Sequence, residues 1–345
     1  MVNVAVIGAS GYGGGELLRW LSCHPEARVR VATSRTYAGR PVSDSFPGLT
    51  GLLDLSFSPG ADAVDLEGCD VVFLARDNGW AMKAASEFLL HVPRLIDLSA
   101  DFRFRDVSVY ARWYSDHAAP SLAAEAVYGL PELHRDAIRT ARVVGNPGCY
   151  TTASILALAP LVASGLVDTS TLIVDAKSGV SGAGRSKFAL DYHFAEANES
   201  VTAYRVAGTH RHTPEIEQEL SALAGAEVRV TFTPHLVPMT RGILATCYAS
   251  LVEQRDAEGL RALYRDFYAG HPFVQVRDGL PSTKHVVGSN MCHIGLGVDE
   301  RVRRVTVVSA VDNLGKGMAT QAIQNMNLML GLDETSGLRI PGMWP

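Results

Sequence analysis

The chain has little of what marks several protein classes. Its five cysteines, Cys23, Cys69, Cys149, Cys247 and Cys292, are an odd number spread along 345 residues. No C-x-x-C pair occurs among them, which excludes a zinc ribbon and argues against a disulfide framework. Such cysteine usage fits a reducing compartment, so a cytoplasmic protein is expected. Long apolar runs are missing too. The longest, such as Val71 to Ala75, are strand-sized, so no membrane partner is expected. A strand pattern already occupies Val2 to Ile7, so no secretory leader is expected. Charge is sparse: 19% of residues are charged and the net charge is −5, which argues against nucleic acid as a partner. No internal repeat, low-complexity tract or long charge block interrupts the pattern.

What is present is the composition of an ordinary globular enzyme, 47% hydrophobic. The length exceeds what one core usually holds, so two domains are expected. Val4-Ala5-Val6-Ile7 reads as a buried parallel strand. Gly8-Ala9-Ser10-Gly11-Tyr12-Gly13-Gly14-Gly15 follows, and Glu16 to Leu21 has helical spacing. Strand, glycine turn and helix form the context of a dinucleotide site, although the spacing is G-x-x-G-x-x-G rather than G-x-G-x-x-G. The glycines let backbone approach a pyrophosphate, and the helix start supplies N–H donors. Gly8, Ser10, Gly11, Tyr12 and Gly13 are therefore cofactor candidates.

The next strand, Arg28 to Ala32, runs into Thr33-Ser34-Arg35. An acidic residue would bond the ribose 2′-hydroxyl of NAD there. A hydroxyl and a guanidinium suit a 2′-phosphate instead, so Ser34 and Arg35 point to NADP(H). Asp70 to Ala75, Arg94 to Ser99 and Val143 to Gly145 continue the parallel pattern, with Asp101-Phe102-Arg103 where strand ends carry ligand contacts.

Gly145-Asn146-Pro147-Gly148-Cys149-Tyr150-Thr151-Thr152 places a cysteine at the start of a helix that Pro160 should end. A helix N-terminus favours thiolate over thiol, and the thiolate is the nucleophile. Beyond it the pattern changes. Leu172 to Ala176, Val228 to Pro234, Gly242 to Leu251 and Arg304 to Val311 are β-branched and partly alternating, which predicts a mixed or antiparallel sheet in an α+β domain. Lys177 to Arg185 reads as a flexible loop rich in anion donors, making Ser178, Gly179 and Gly182 cofactor candidates. A last helix, about Ala319 to Gly331, should be apolar on one side through Ile323, Met326 and Leu330, and pack back on the first domain. His210-Arg211-His212-Thr213-Pro214-Glu215 precedes another helix. Alternate histidines without nearby Cys, Asp or Glu ligands make a poor metal site, so no metal is expected. Either histidine suits the acid/base partner of a thiol. Thiol, histidine and nicotinamide together suit interconversion of an aldehyde and an activated acyl group through a covalent thioester.

These segments resemble the N-acetyl-γ-glutamyl-phosphate reductase family. The resemblance covers essentially the whole chain. It rests on the Gly8 to Gly14 turn, Asp101-Phe102-Arg103, Val127-Tyr128-Gly129-Leu130-Pro131-Glu132, Gly145 to Thr152, Lys177 to Arg185, His210 to Ile216, Phe232 to Met239 and Asp312-Asn313-Leu314-Gly315-Lys316-Gly317. It implies reversible, NADPH-dependent reduction of N-acetyl-γ-glutamyl phosphate to the semialdehyde in arginine biosynthesis. The implied fold is that of aspartate-semialdehyde dehydrogenases, usually in a homo-oligomer, dimer or tetramer. The expected division is a Rossmann domain over 1–148, a catalytic and oligomerisation domain over 149–311, and a segment, 312–345, returning to the first domain. The resemblance makes Cys149 the nucleophile, His212 the acid/base residue, and His210 a positioning group. It further assigns carbonyl orientation to Asn146, substrate contacts to Ser99, Arg103 and Arg185, and cofactor contact to Asn313. One loop departs from the family: Arg76-Asp77-Asn78-Gly79 stands where Leu-Pro-His-Gly is usual. Met318-Ala319-Thr320 also replaces smaller residues. Two other readings accommodate these changes: a reductase of carrier-linked aminoadipyl phosphate, and an NADP-binding regulator without turnover.

Overall fold

Short strands at the start of the chain pair side by side into one sheet; the central ones are apolar and buried, while the edge strand Ala27–Ala32 alternates exposed arginines with less exposed residues. The computed structural model describes residues 1–60, 65–186 and 189–343. It divides into two units, the first comprising 1–147, 184–186 and 318–339. In chain order the first unit opens with β1 (Val2–Ile7), α1 (Tyr12–Leu21), β2 (Ala27–Ala32), α2 (Val42–Ser45), β3 (Val71–Leu74) and α3 (Ala81–Phe88). It continues with β4 (Leu95–Asp97), α4 (Val107–Trp113), α5 (Pro120–Glu125), β5 (Val127–Tyr128), α6 (Pro131–Thr140) and β6 (Val143–Gly145). The strands line up as β2-β1-β3-β4-β6-β5, and every pairing is parallel. The order reverses between β1 and β3, and a ligand crevice is expected outside the strand ends at that switch point. Ile7, Val72, Leu74, Ala85, Phe102 and Tyr110 belong to the core on one side of this sheet.

The second unit comprises 148–183, 187–317 and 340–345, of which 187, 188, 344 and 345 lie outside the described residues. Its elements are α7 (Cys149–Ala163), β7 (Val167–Ser178), α8 (Phe194–Ala197), β8 (Thr202–Ala203), α9 (Thr213–Ala224) and β9 (Thr231–Leu236), then β10 (Ile243–Leu251), α10 (Ala257–Phe267), β11 (Val274–Val276), β12 (Cys292–Asp299) and β13 (Arg304–Val311). The sheet order is β11-β12-β13-β10-β7-β9-β8. Its pairings are mixed: β7 with β9 and β11 with β12 are parallel, the others antiparallel. Burial alternates residue by residue along β10, as a strand with one core-facing side requires.

Helix α7 is the spine of this unit. Every residue from Tyr150 to Val162 is buried, which is why its sequence is apolar all round. Pro160 lies inside the helix rather than ending it. Its ring removes the N–H that would bond the carbonyl of Leu156. The Tyr268 hydroxyl donates to that carbonyl at 2.6 Å, and Tyr264 donates to Ala157 O at 2.5 Å. From the sheet, Ser309 Oγ donates to Ala153 O at 2.8 Å. The helix bearing Cys149 is thus tied along its length.

The last helix, α11 (Thr320–Met329), belongs to the first unit. The predicted one-sided apolar pattern is corrected here: Gln321, Gln324, Asn325 and Asn327 are buried as fully as Ile323 and Met326. Their amides have partners that spacing does not reveal. Asn325 donates to Gly129 O at 2.9 Å, and Asn327 to Ser336 O at 2.9 Å. Among the described residues no helix is long and apolar enough to cross a membrane.

Candidate active site

The glycine turn after β1 is shaped by close approach. Gly8 has φ +84°, and a Cβ there would sit 2.4 Å from Ala75 O. Gly14 could not carry a Cβ either, since it would fall 2.5 Å from Ala9 Cα. These two positions require glycine; Gly11 does not, as nothing but Gly8 O at 3.8 Å faces its missing side chain. Gly11 is the N-cap of α1 and supplies no side-chain cap, so the helix start offers its N–H groups to an anion. The Gly8 N–H donates to Thr33 Oγ1 at 3.1 Å, fastening the turn to the end of β2. Ser10 Oγ and Ser34 Oγ lie 2.9 Å apart. Tyr12 and Arg35 are exposed, and Gly13 packs on Met318. Hydroxyls and an exposed cation stand at the end of β2, where no carboxylate follows in sequence. The residues present fit a dinucleotide with a 2′-phosphate.

Arg185 departs from its expected place. It lies within the first unit, donating from Nη1 to Ser10 O at 3.2 Å, with its guanidinium 5.2 Å from the Phe46 ring centroid and 5.8 Å from that of Tyr37. Its surroundings within that unit are the glycine turn after β1, through Ser10, and the rings of Tyr37 and Phe46.

Behind the strand ends lies a buried polar cluster. Ser99 Oγ donates to Asp97 at 2.7 Å, and the Asp101 N–H to Ser99 Oγ at 3.2 Å. Burial, with Asp101 as a second contribution, pushes the Asp97 carboxyl up to about 7. Arg103 donates from Nε to Asn146 O at 2.7 Å and from Nη2 to Leu98 O at 3.0 Å. Asn146 donates from its backbone to Asp97 O and from Nδ2 to Met318 O, and accepts from Asn325. Ser99, Arg103 and Asn146 are thus joined, and their bonds fix the backbone leading to Gly148. The unusual Arg76 to Gly79 loop is held by the same cluster. Asp101 accepts from the N–H groups of Gly79 at 2.7 Å and Met82 at 3.0 Å, while Asn78 caps the Ala100 N–H at 2.9 Å. Arg76 stacks on Trp80, 5.2 Å from the ring centroid.

In the second unit Cys149 is the first residue of α7, and Gly148 its N-cap. The first helical bond comes from Thr152 N to Gly148 O at 2.9 Å. A Cβ on Gly148 would fall 2.5 Å from His212 Nε2, so the imidazole lies flat on the backbone next to the thiol. A Cβ on Gly317 would fall 2.8 Å from Cys149 Cβ. Glycine at 148 and 317 therefore lets a histidine and a backbone segment close on the cysteine. Glu215 is fully buried and accepts from Gly148 N at 2.9 Å and Thr151 Oγ1 at 2.8 Å. It also lies in the first turn of α9, so one carboxylate serves two helix N-termini.

His210 and His212 are brought together, with ring centroids 4.9 Å apart, but their settings differ. His210 is boxed by Tyr150, Tyr204 and Phe232 at 5.2 to 5.7 Å. Burial, then the neighbouring His212 and Arg205, pushes it down to about 2, so it stays neutral. The His212 N–H donates to its Nδ1 at 3.1 Å, which leaves the proton on Nε2. Tyr204 OH donates to Tyr150 OH at 3.1 Å, and Tyr150 OH to His235 O at 3.2 Å. Burial pushes Tyr204 up to about 12 and Tyr150 higher still, so both remain protonated. Burial also raises the thiols of Cys69 and Cys247, whereas Cys149 is half-buried at its helix start.

The segment 177–185 is not the flexible loop the glycines predict. Lys177 and Ser178 end β7, and Val180–Ala183 is a 3₁₀ turn. Gly179, Val180 and Ser181 donate to Gly242 O, Met239 O and Thr240 O, and a Cβ on Gly179 would fall 2.7 Å from Thr240 O. Ser178 Oγ donates to Gly179 O at 2.9 Å, and Gly182 turns back to the same carbonyl. Asn313 accepts from Gly242 N at 2.7 Å and donates to Ser181 Oγ at 2.9 Å. Lys177 pairs with Asp175 at 2.8 Å. Sequence reasoning singled out neither Glu215 nor Gly317 as a site residue. Both stand in quoted motifs, yet only long-range contact reveals their roles. Among the described residues no group of three or more His, Cys, Asp or Glu is arranged to hold a metal ion.

Comparison with known proteins agrees with this architecture. Residues 3–141 match the family model "Semialdehyde dehydrogenase, NAD binding domain", and residues 149–313 match "Semialdehyde dehydrogenase, dimerisation domain". Aspartate semialdehyde dehydrogenase II of Vibrio cholerae, solved with ASA, superposes with a TM-score of 0.72 at 18% identity, covering 96% of this chain and 98% of that one. The enzyme of Candida albicans with NADP gives a TM-score of 0.68 at 15% identity, covering 96% and 99%. At such identities the likeness is one of fold, and the fold is that of the semialdehyde dehydrogenases. Sequence is more specific. The N-acetyl-gamma-glutamyl-phosphate reductase of Symbiobacterium thermophilum is 57% identical over 343 residues, 98% of this chain and 97% of the relative. That of Desulforamulus reducens is 52% identical over 348 residues, covering both chains completely. The chain belongs to the N-acetyl-gamma-glutamyl-phosphate reductase family.

Proposed function

We propose that this chain catalyses the reversible NADPH-dependent reduction of N-acetyl-γ-glutamyl phosphate to N-acetylglutamate 5-semialdehyde and phosphate. One observation carries the reading. Cys149 opens α7 with the His212 imidazole laid on the adjoining Gly148, in a chain whose full-length relatives bear that reductase's name. The positive end of α7 favours a thiolate at Cys149. Its Sγ attacks the acyl carbon, the bond to the phosphate oxygen breaks, and phosphate leaves with the electron pair. A thioester remains on Cys149. Bound NADPH supplies the hydride that reduces the thioester carbon. His212, as imidazolium, donates a proton to the resulting oxyanion and takes it back as the C–S bond breaks, releasing aldehyde and regenerating the thiolate.

His210, neutral and boxed, orients His212 through the bond from the His212 N–H. Gly8, Ser10, Gly11, Tyr12, Gly13, Ser34 and Arg35 hold the cofactor in this reading. Ser178 and Asn313 fix the backbone of the Gly179 to Gly182 turn assigned to the same ligand. Asn146, Arg103 and Ser99 act by positioning the segment before Cys149. A homo-oligomer, dimer or tetramer, is part of the proposal. The exposed Leu190, Phe194, Val201 and Val206, in the stretch of chain that runs into and out of the edge strand β8, support it, as does the match of residues 149–313 to a dimerisation-domain family. Cytoplasmic location is supported by an all-thiol chain that needs a reduced nucleophile.

The test follows NADPH absorbance with N-acetylglutamate semialdehyde, phosphate and NADP. Phosphate-dependent NADPH formation, absent in Cys149→Ala, is the expected result. Formation that ignores phosphate, or persists in the variant, would refute the mechanism.

A further inference from the structure

Arg185 stands apart from the other cations of the chain. It follows β7 by seven residues in sequence, yet it packs within the first unit. One of its N–H groups bonds Ser10 O at 3.2 Å. The aromatic faces of Phe46 and Tyr37 hold its guanidinium at 5.2 and 5.8 Å, which orders the cation without neutralising it. No carboxylate among the described residues pairs with it. A half-buried guanidinium with donors to spare and no counter-charge is a site for an anion.

The neighbours of Arg185 say which anion. Ser10 joins it to Ser34 through the 2.9 Å contact between their hydroxyls, and the Tyr37 N–H donates to Ser34 Oγ at 3.2 Å. Ser34 is the second residue after β2, the place where the adenosine ribose of a bound dinucleotide presents its 2′ position. The pyrophosphate has its own donors at the start of α1, beyond the glycine turn. The anion left for Arg185 is the one that distinguishes the two nicotinamide cofactors.

Resting on the proposed cofactor, we infer that Arg185 is a specificity-determining residue that binds the 2′-phosphate of NADPH together with Ser10, Ser34 and Arg35. Calling on Arg185 as a substrate ligand is then unnecessary. One charge-assisted bond to a phosphate accounts for about a 10- to 100-fold preference.

The experiment measures binding rather than turnover. Isothermal titration with NADPH, NADH, adenosine 2′,5′-bisphosphate and AMP is run on the wild type, Arg185→Ala and Arg185→Lys, with thermal melting of each as a folding control. Arg301→Ala, an exposed cation paired with Asp299 in the second unit, serves as the charge control. The inference predicts that Arg185→Ala weakens NADPH and the bisphosphate about 10- to 100-fold and leaves NADH and AMP within twofold. Arg185→Lys, lacking the fork but keeping the charge, falls between, and Arg301→Ala changes nothing. Equal weakening of all four ligands, or no weakening of the bisphosphate, would overturn it. A wild type that binds neither NADPH nor NADH would instead sink the cofactor assignment itself, so the two failures are distinguishable.

Discussion

In the proposed mechanism two histidines, separated by Arg211, carry different work because their surroundings differ. His212 lies against Gly148 beside the thiol, whereas His210 is 9% exposed and enclosed by aromatic rings. A group enclosed that way cannot take up a proton near neutrality, so it cannot shuttle one. His212→Asn is expected to lower kcat about 100- to 10,000-fold, the range for loss of an acid/base group. His210→Asn, which keeps a polar side chain near the His212 N–H, should lower kcat only about tenfold. Acid unfolding separates the two as well. Folded His210 titrates at about 2 against an ordinary 6.5, so below pH 6.5 the unfolded chain binds a proton that the folded chain refuses. Its contribution to stability is whole above pH 6.5 and declines as pH falls, by about 2 kcal/mol at pH 5. Denaturant midpoints for wild type and His210→Asn should converge on acidification; parallel curves would contradict the neutral assignment.

At the scale of elements, the start of α7 is where sequence and fold meet. The Gly-Asn-Pro-Gly-Cys run made a helix start at Cys149 legible, because turn residues and a capping position leave a local signature. Glu215 left none. It stands 66 residues downstream, in the first turn of α9, and only folding brings its carboxylate to Gly148 and Thr151. Burial of Gln324 and Asn325 in α11 was hidden for the same reason: their partners are remote in sequence or follow the helix. Pro160 misled in the opposite direction, since the Tyr268 hydroxyl replaces the bond that proline removes. Glu215 is a positioning residue with an electrostatic side effect. Glu215→Gln keeps one acceptor but removes an anion near the thiolate. We expect kcat to fall about 10- to 100-fold with KM little changed, while iodoacetamide alkylation of Cys149 shifts to lower pH. A variant that loses only thermal stability, with an unmoved alkylation profile, would reduce Glu215 to a structural role.

For the whole molecule, the parallel sheet was legible because buried parallel strands read as continuous apolar runs bounded by turns. The second sheet was read only in part. Its strands β7, β9, β10 and β13 stand out by β-branched content. β12, Cys-His-Ile-Gly-Leu-Gly-Val-Asp, carries two glycines that weaken the same signal, one of them forced by backbone approach from Gly279 O. Nor does local pattern disclose that Gly184–Ser186 joins the first unit, where Arg185 bonds Ser10 O. The central claim concerns the whole catalytic cycle: a covalent acyl group passes through Cys149. The most direct measurement mixes the enzyme with N-acetyl-γ-glutamyl phosphate in the absence of nucleotide, then records released phosphate and intact protein mass. The account predicts a phosphate burst of about one per active site and an N-acetylglutamyl adduct on Cys149, which NADPH discharges as aldehyde. No adduct and no burst, with turnover still occurring once NADPH is present, would contradict it.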